Sequence, residues 1–367
     1  MRRPRLAVTL GDPCGIGPEL LLKSLHILNR WADVLVVGSR AGVELLEDGQ
    51  QPLSWHWQPA TGGDTGAAWI MGTSLGGEAL WADPMPQLQQ EALVLGTPSA
   101  DSGRLAIEAV RRGARLAMEG RADALVTLPI SKAAAHAAGI QIPGHTELLQ
   151  ALTNSPMTRM AFISPSLTVV LHTVHQSLRS VIEQLDVVGV AETLAFAAER
   201  IAELKGLAAP RVALCALNPH AGEAGAFGGE ERLLVEAVSE AARMFEHGPP
   251  FKDLPRILKD GLVPKPVFSG PLSADSLFHR AVEGEFDLVV ALYHDQGLIP
   301  VKTLEPLRAV NLTLGLPFVR TSPDHGTAFD KAGKWIGDPR NFQEAAALAV
   351  RLAGRAKNLA WQAEVEA

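Results

Sequence analysis

The run Leu6-Ala7-Val8-Thr9-Leu10 passes straight into Gly11-Asp12-Pro13-Cys14-Gly15-Ile16-Gly17-Pro18-Glu19. Its apolar side chains are nearly continuous rather than alternating, as in a strand covered on both faces of a parallel sheet. The glycine turn behind it leads into a helix. Outward along the chain the same pattern returns at Val34–Val37, Ala124–Leu128, Leu167–Leu171, Val212–Leu217 and Leu288–Leu292, each bounded by Gly, Pro, Asp or Asn. Helix-length amphipathic segments lie between these runs. One extends from about Asp186 to Gly206, with Val190, Leu194, Ala197, Ile201 and Leu204 on one face. Another follows Gly229, with Leu234, Val238, Ala241 and Phe245 spaced for burial. A third follows Asp101-Ser102, buries Leu105, Ala109, Val110 and Leu116, and ends near Gly120. This alternation predicts an α/β fold with a mostly parallel sheet. Two stretches break the rhythm. Asp48 to Gln90, rich in Gly, Pro and Trp, is expected to wander over the surface, and an irregular insertion is expected from His247 to about Pro266.

The chain has 367 residues, with 33 Lys+Arg against 40 Asp+Glu and a formal net charge of −7. At roughly 100–200 residues per domain, this length predicts two domains. Hydrophobic residues at 47% and charged residues at 20% describe a globular rather than a disordered chain. Net negative charge without a basic block argues against non-specific nucleic-acid binding. Cys14 and Cys215 are the only cysteines, which excludes a disulfide scaffold and a CxxC-type zinc site. Asp12 interrupts the apolar stretch behind the basic Met1-Arg2-Arg3-Pro4-Arg5, and no run of about 18 apolar residues follows. Neither a signal peptide nor a membrane span is therefore expected, and the expected location is the cytoplasm.

The chemistry gathers behind the strands, where ligands bind in open parallel sheets because loops and helix N-termini converge there. Leu167–Leu171 leads to His172-Thr173-Val174-His175, Val212–Leu217 to Asn218-Pro219-His220, and Leu288–Leu292 to Tyr293-His294-Asp295. Two readings of His175, His220 and His294 stand: three unrelated capping or core histidines, or a convergent trio suited to a catalytic divalent metal such as zinc. Close behind lie Lys302, Arg308 and Arg320, with Asn311 between them. Such a set is either a solvated face or the bidentate, charge-assisted donors that a phosphate monoester needs. Gly11, Gly15 and Gly17 do not form GxGxxG, although a glycine turn between strand and helix still lets a ligand approach the backbone. The polar turn Asp324-His325-Gly326-Thr327-Ala328-Phe329-Asp330 carries no diagnostic pattern.

Together these segments resemble the 4-hydroxythreonine-4-phosphate dehydrogenase family of pyridoxal phosphate biosynthesis. The matching stretches are Gly11–Glu19, Leu128–Lys132, Gly144-His145-Thr146-Glu147, Asn218–Glu223, Gly270–Asp275, Tyr293–Gly297 and Asn311–Pro317, in family order. The resemblance implies an isopropylmalate-dehydrogenase-like fold, two α/β/α domains with a cleft between them. Residues 1–132 plus 302–367 would form the first domain, with the cofactor loops, and 133–301 the second, with the metal histidines and the dimer interface. It implies His175, His220 and His294 as ligands of one divalent metal (zinc, magnesium or cobalt), contributed by both subunits of a homodimer. Substrate contacts would be His145, Thr146, Lys302, Asn311 and Arg320. NAD or NADP would meet Gly15, Gly17, His325, Gly326, Thr327 and Asp330; Asp330 favours NAD by analogy, whereas Lys331 beside it suits a 2′-phosphate. Lys302 and Asp275 are candidates for proton transfer, Asp275 also for the metal shell.

The implied reaction is metal-assisted oxidation of a β-hydroxy acid, 4-phosphohydroxy-L-threonine, to a β-keto acid that loses CO₂. Threonate or erythronate 4-phosphate is the alternative substrate. A metal-dependent phosphatase or aldolase would use the same histidines and cations, but has no need of a second, adenosine-shaped cleft. A non-catalytic metabolite-binding protein leaves the coincidence of all these groups unexplained. His172, the 247–266 insertion and Trp335 fall outside the common pattern.

Overall fold

The computed structural model describes residues 2–47, 51–61, 63–88, 90–254 and 264–356. The chain forms two compact units, unit 1 from Met1–Ser155 with Leu316–Ala367 and unit 2 from Pro156–Gly315.

Unit 1 opens with β1 (Arg5–Thr9), α1 (Gly17–Trp31), β2 (Asp33–Val37) and α2 (Ala41–Glu44). Three strands follow, β3 (Trp55–Pro59), β4 (Trp69–Thr73) and β5 (Glu78–Ala82), then α3 (Ala100–Met118), β6 (Ala124–Thr127), α4 (Lys132–Ala137) and α5 (His145–Thr153). After unit 2 the chain returns with β13 (Val319–Pro323) and α11 (Arg340–Ala356). The strand order is β13-β6-β1-β2-β5-β4-β3. The pairs from β13 to β5 are parallel, and β5-β4-β3 is antiparallel. β1, β2 and β6 coincide with three of the runs read from sequence, and the turns behind β1, β6 and β13 share one edge of the sheet. Ala7, Leu35 and Leu125 on the strands pack with Ile107, Val110 and Leu149 of α3 and α5. α3 starts a turn earlier than expected, because Ser99 is the cap and Ser102 is its reciprocal partner in a capping box.

The described part of the stretch from residue 48 to 90 does not wander. Residues 55–82 form the antiparallel meander, and Trp81 is wholly buried with its indole N–H donating to the Gly38 carbonyl at 2.8 Å. The Arg40 guanidinium lies over the rings of Trp57 and Trp69, at 4.4 and 4.3 Å from their centroids. Aromatic residues supplied strand propensity that a reading for Gly and Pro overlooked. The six tryptophans among the described residues all fall within unit 1.

Unit 2 contains β7 (Arg159–Ile163), β8 (Thr168–Leu171), α6 (Leu178–Gln184), α7 (Val187–Lys205), β9 (Arg211–Cys215) and α8 (Glu231–Arg243). It continues with β10 (Val267–Leu272), α9 (Ala274–Val282), β11 (Leu288–Ala291), α10 (His294–Leu304) and β12 (Val310–Leu314). The order is β10-β9-β11-β8-β7-β12, parallel from β10 to β8 and antiparallel across β7. α7 is bounded as the sequence predicts, by an Asp186 side-chain cap and a left-handed Gly206. It is buried on more than one face: Phe196, Glu199 and Arg200 are buried too, and Arg200 bonds Glu203 at 3.2 Å and the Phe251 carbonyl at 2.9 Å. That contact docks the start of the 247–266 insertion, whose residues 255–263 lie outside those described.

Residues 133–155 cluster with unit 1 because α4 and α5 pack on α3, and 302–315 cluster with unit 2 because β12 pairs with β7, Asn311 opposite Phe162. Among the described residues, no helix is long and apolar enough to cross a membrane.

Candidate active site

Four parallel strands of unit 2 deliver their following residues to one edge: His175 behind β8, His220 behind β9, Asp275 behind β10 and His294 behind β11. His175 and His294 face one another, with ring centroids 5.8 Å apart. Asp295 holds His294 Nδ1 at 2.7 Å, which leaves Nε2 as the ring nitrogen not engaged by that carboxylate. His220 stands beside Asp275 instead. The Asp275 carboxylate accepts from Ser273 Oγ at 2.6 Å and the Ser276 N–H at 2.9 Å, and these bonds, with His220 nearby, hold it below the usual carboxylate range. Among the described residues, no three His, Cys, Asp or Glu side chains group closely enough to hold a metal ion. The histidine trio is thus at one edge of the sheet without closing on a point.

A groove of about 1230 Å³ runs through this part of unit 2, lined by His175, Asp275 and His294 together with Phe278, Ile299 and Leu304. Ile299 is 64% exposed and Leu178, also in the lining, 60%. His172 points elsewhere. Its Nδ1 meets Thr193 Oγ1 at 2.9 Å, and Arg159 Nε donates to the same oxygen at 3.0 Å. Burial, with the Arg159 charge adding, pushes the His172 imidazole down to about 4.

The second group belongs to unit 1. Arg320, on β13, is 2% exposed and donates from Nε at 3.2 Å and Nη2 at 2.6 Å to Thr127 Oγ1, on β6. Burial pushes its guanidinium down to about 9, opposed by the Glu147 carboxylate. His145 opens α5, and burial together with the Arg320 charge holds its imidazole well below the usual value, in the neutral form. His145 Nε2 is inaccessible and has no hydrogen-bond partner. Gly144 supplies no side-chain cap, so the N–H groups of the first turn, Thr146 among them, are left for another acceptor. A Cβ at Gly144 would lie 3.0 Å from Glu147 Oε2 and 3.8 Å from Lys132 Cε, so the extended glycine sits between a carboxylate and an amine. Of the remaining residues expected to contact substrate, both in unit 2, Lys302 is exposed on α10, and Asn311 Oδ1 on β12 is buried without a hydrogen-bond partner.

The glycine turn and the 324–330 turn also meet within unit 1. Ile16 N–H donates to the Thr327 carbonyl at 2.9 Å, and a Cβ at Gly15 would fall 2.9 Å from that same oxygen. A Cβ at Gly17 would fall 2.2 Å from the Leu10 carbonyl. Both glycines are thus required for chain packing. Gly326 has open space where a Cβ would stand, His325 Nδ1 lies 2.9 Å from the Gly326 carbonyl, and Asp330 and Lys331 are exposed. Beneath the turn Asp12 accepts from the Cys14 N–H at 3.0 Å and Ser102 Oγ at 3.1 Å, and burial pushes it up to about 6. Glu19, wholly buried, binds Lys23 Nζ at 2.8 Å and the N–H groups of Trp335 and Gly337, tying the next loop to α1. Glu147, Lys132, Thr127 and Asp295 had no role in the sequence reading. Their signal was position alone, beside or inside quoted motifs.

The family described as Pyridoxal phosphate biosynthetic protein PdxA matches residues 59–349. The D-threonate 4-phosphate dehydrogenase of Cupriavidus necator is 36% identical, covering 96% of this chain and 98% of its own. The 4-hydroxythreonine-4-phosphate dehydrogenase of Geobacter metallireducens is also 36% identical, covering 96% of each chain. The crystal structure of 4-hydroxythreonine-4-phosphate dehydrogenase from Klebsiella pneumoniae superposes with a TM-score of 0.77 at 34% identity, covering 95% of this chain and 99% of that one. With a family match over most of its length, relatives along nearly all of it and a shared α/β fold, this chain belongs to the PdxA family.

Proposed function

We propose that this protein is a nicotinamide- and divalent-metal-dependent dehydrogenase of 4-phosphohydroxy-L-threonine. It would yield a β-keto acid that decarboxylates to 3-amino-2-oxopropyl phosphate, for pyridoxine 5′-phosphate synthesis in the cytoplasm. The observation that carries the reading is the buried Arg320 guanidinium beside a neutral His145 at the uncapped start of α5, a site made for an anion within a chain of this family.

The donor set suits a divalent cation: His175 and His294 lie side by side, with the latter's tautomer set by Asp295. His220 completes the set from a second copy of the chain, in a homodimer supported by the exposed apolar side chains of the groove. A bound cation would supply Lewis-acid polarisation of the substrate's hydroxyl and keto oxygens, and oxidised NAD or NADP, which the loops of Gly15, Gly17, His325, Gly326, Thr327 and Asp330 would hold, would supply the hydride acceptor. Arg320 is the proposed phosphate donor of unit 1, through charge-assisted hydrogen bonds, and Lys302 and Asn311 are the further substrate contacts that the resemblance implies. His145 and Thr146 orient the polar end; neutral His145 contributes direction without adding charge. Asp275, kept ionised by Ser273 and the Ser276 N–H, accepts the hydroxyl proton, and Lys302 is the other candidate. The proton taken from the hydroxyl would return to carbon as CO₂ departs.

A second reading has a specific support: a relative named for D-threonate 4-phosphate is as similar as one named for 4-hydroxythreonine 4-phosphate. The test is reduction of NAD⁺ and NADP⁺ with 4-phosphohydroxy-L-threonine, threonate 4-phosphate and erythronate 4-phosphate, each with and without chelator. Chelator-sensitive turnover of the amino acid is expected. Turnover of the sugar acids alone moves the enzyme to the second reading, and release of inorganic phosphate without nicotinamide reduction replaces both with a phosphatase.

A further inference from the structure

The segment that carries His220 runs against the preference of L-residues. His220, Ala221, Gly222, Glu223 and Ala224 hold φ of 53°, 51°, 73°, 41° and 56° in succession. Single left-handed residues are ordinary. Runs of them are not, because each Cβ crowds the following carbonyl, and such strain persists only where the surroundings over-determine it. The surroundings here converge on Glu231, the first residue of α8. Its carboxylate, 8% exposed, accepts the Asn218 N–H at 2.7 Å and Asn218 Nδ2 at 3.0 Å. A Cβ at Gly222 would fall 2.6 Å from Glu231 Oε2, so the middle of the turn rests on that carboxylate. Glu230 receives Asn218 Nδ2 at 2.9 Å, and a Cβ at Gly228 would fall 2.5 Å from both partners. Two glycines and two carboxylates thus enclose Asn218, two residues before His220.

The geometry points to Glu231 as a positioning residue that, through Asn218 and the left-handed turn, sets the direction in which His220 presents its imidazole to the divalent cation. The inference rests on the metal reading above. Glu231 also sits in the first turn of α8, where a carboxylate favours the helix for reasons unrelated to His220. The experiment must separate these roles.

Full-length wild type, Glu231→Gln, Glu231→Ala and Gly222→Ala are stripped of metal and titrated with Co²⁺, read by calorimetry and by visible absorption, with thermal midpoints recorded alongside. Gly222→Ala presses the carboxylate from the opposite side and serves if Glu231→Ala fails to fold. Expected is a loss of Co²⁺ affinity of about 10–100-fold in Glu231→Ala and Gly222→Ala, with altered absorption bands. Glu231→Gln, which keeps one acceptor for the Asn218 N–H, should lose less. Turnover lost by the variants should return at high Co²⁺, as a purely structural defect would not. Wild-type Co²⁺ affinity in variants of lowered midpoint would overturn the inference and leave the metal reading standing. A wild type that takes up no Co²⁺ overturns both.

Discussion

The two groups of candidate residues are built in opposite ways. In unit 1, Arg320, Thr127 and His145 are desolvated, Arg320 donates to Thr127, and Glu147 is its counter-charge. Their order is established when the unit folds. In unit 2, His175, Asp275 and Asp295 are exposed at an open, largely apolar groove, and the third histidine stands apart from the other two. A ligand bound there would complete their order. Buried ionic groups couple function to stability, because removing one partner leaves another unpaired in a dry site. Exposed imidazoles do not. Mutations should therefore separate cleanly by unit.

The largest effect is expected at Arg320. Arg320→Met should lower kcat/KM on the order of 10³-fold and also lower the midpoint of unfolding, since it removes a buried charge and the donors to Thr127. Steady-state kinetics with thermal denaturation checks both; a variant that keeps its KM would remove Arg320 from substrate binding. Next, His294→Ala should weaken divalent-cation affinity by at least about 100-fold while leaving the midpoint almost unchanged, because the imidazole is only partly covered. A large fall in midpoint would break the contrast between the units.

His172 sharpens the contrast as the buried exception in unit 2. Its folded value of about 4 lies below the usual 6.5, so below pH 6.5 the unfolded chain takes up a proton that the folded chain refuses. Stability should therefore fall as pH drops from 6.5 towards 4, by at most about 3 kcal/mol. Asp12 acts with the opposite sign: raised from 3.8 to about 6, it contributes stability below 3.8 that is lost as pH rises through 6. His172→Phe should thus flatten or reverse the acid decline in urea-unfolding free energy between pH 6.5 and 4, and an unchanged decline would assign the loss to other groups. The smallest effect is expected at Trp57→Leu, which removes one ring beneath Arg40 and should destabilise unit 1 by about 1 kcal/mol.

Much of this architecture is legible in the residues. Continuous runs such as Val34–Val37 and Leu288–Leu292 became strands, and the Asp186 and Gly206 signals bound α7, because burial on both faces and helix capping are local requirements. The meander at 55–82 was lost because its alternation is short and its stability comes from Trp81 burial and Arg40, which are tertiary facts. Strand ends located His175, His220 and His294 at one sheet edge, but their spacing depends on loop conformation, above all the left-handed turn at 220–224. Glu147, Asp295 and Glu231 went unassigned for the same reason. A carboxylate reveals its role through the partner it meets, and each partner is fixed only by the folded chain.

The absence of tryptophan from the sequence of unit 2 has a practical consequence. Residues 156–315 contain no indole, and their single phenol is Tyr293, at the groove. Indole emission therefore carries no signal from unit 2, while far-ultraviolet circular dichroism sums over both units. If the units unfold separately, the two transitions will part company, and the gap between them measures the autonomy of the half of the protein that does not emit.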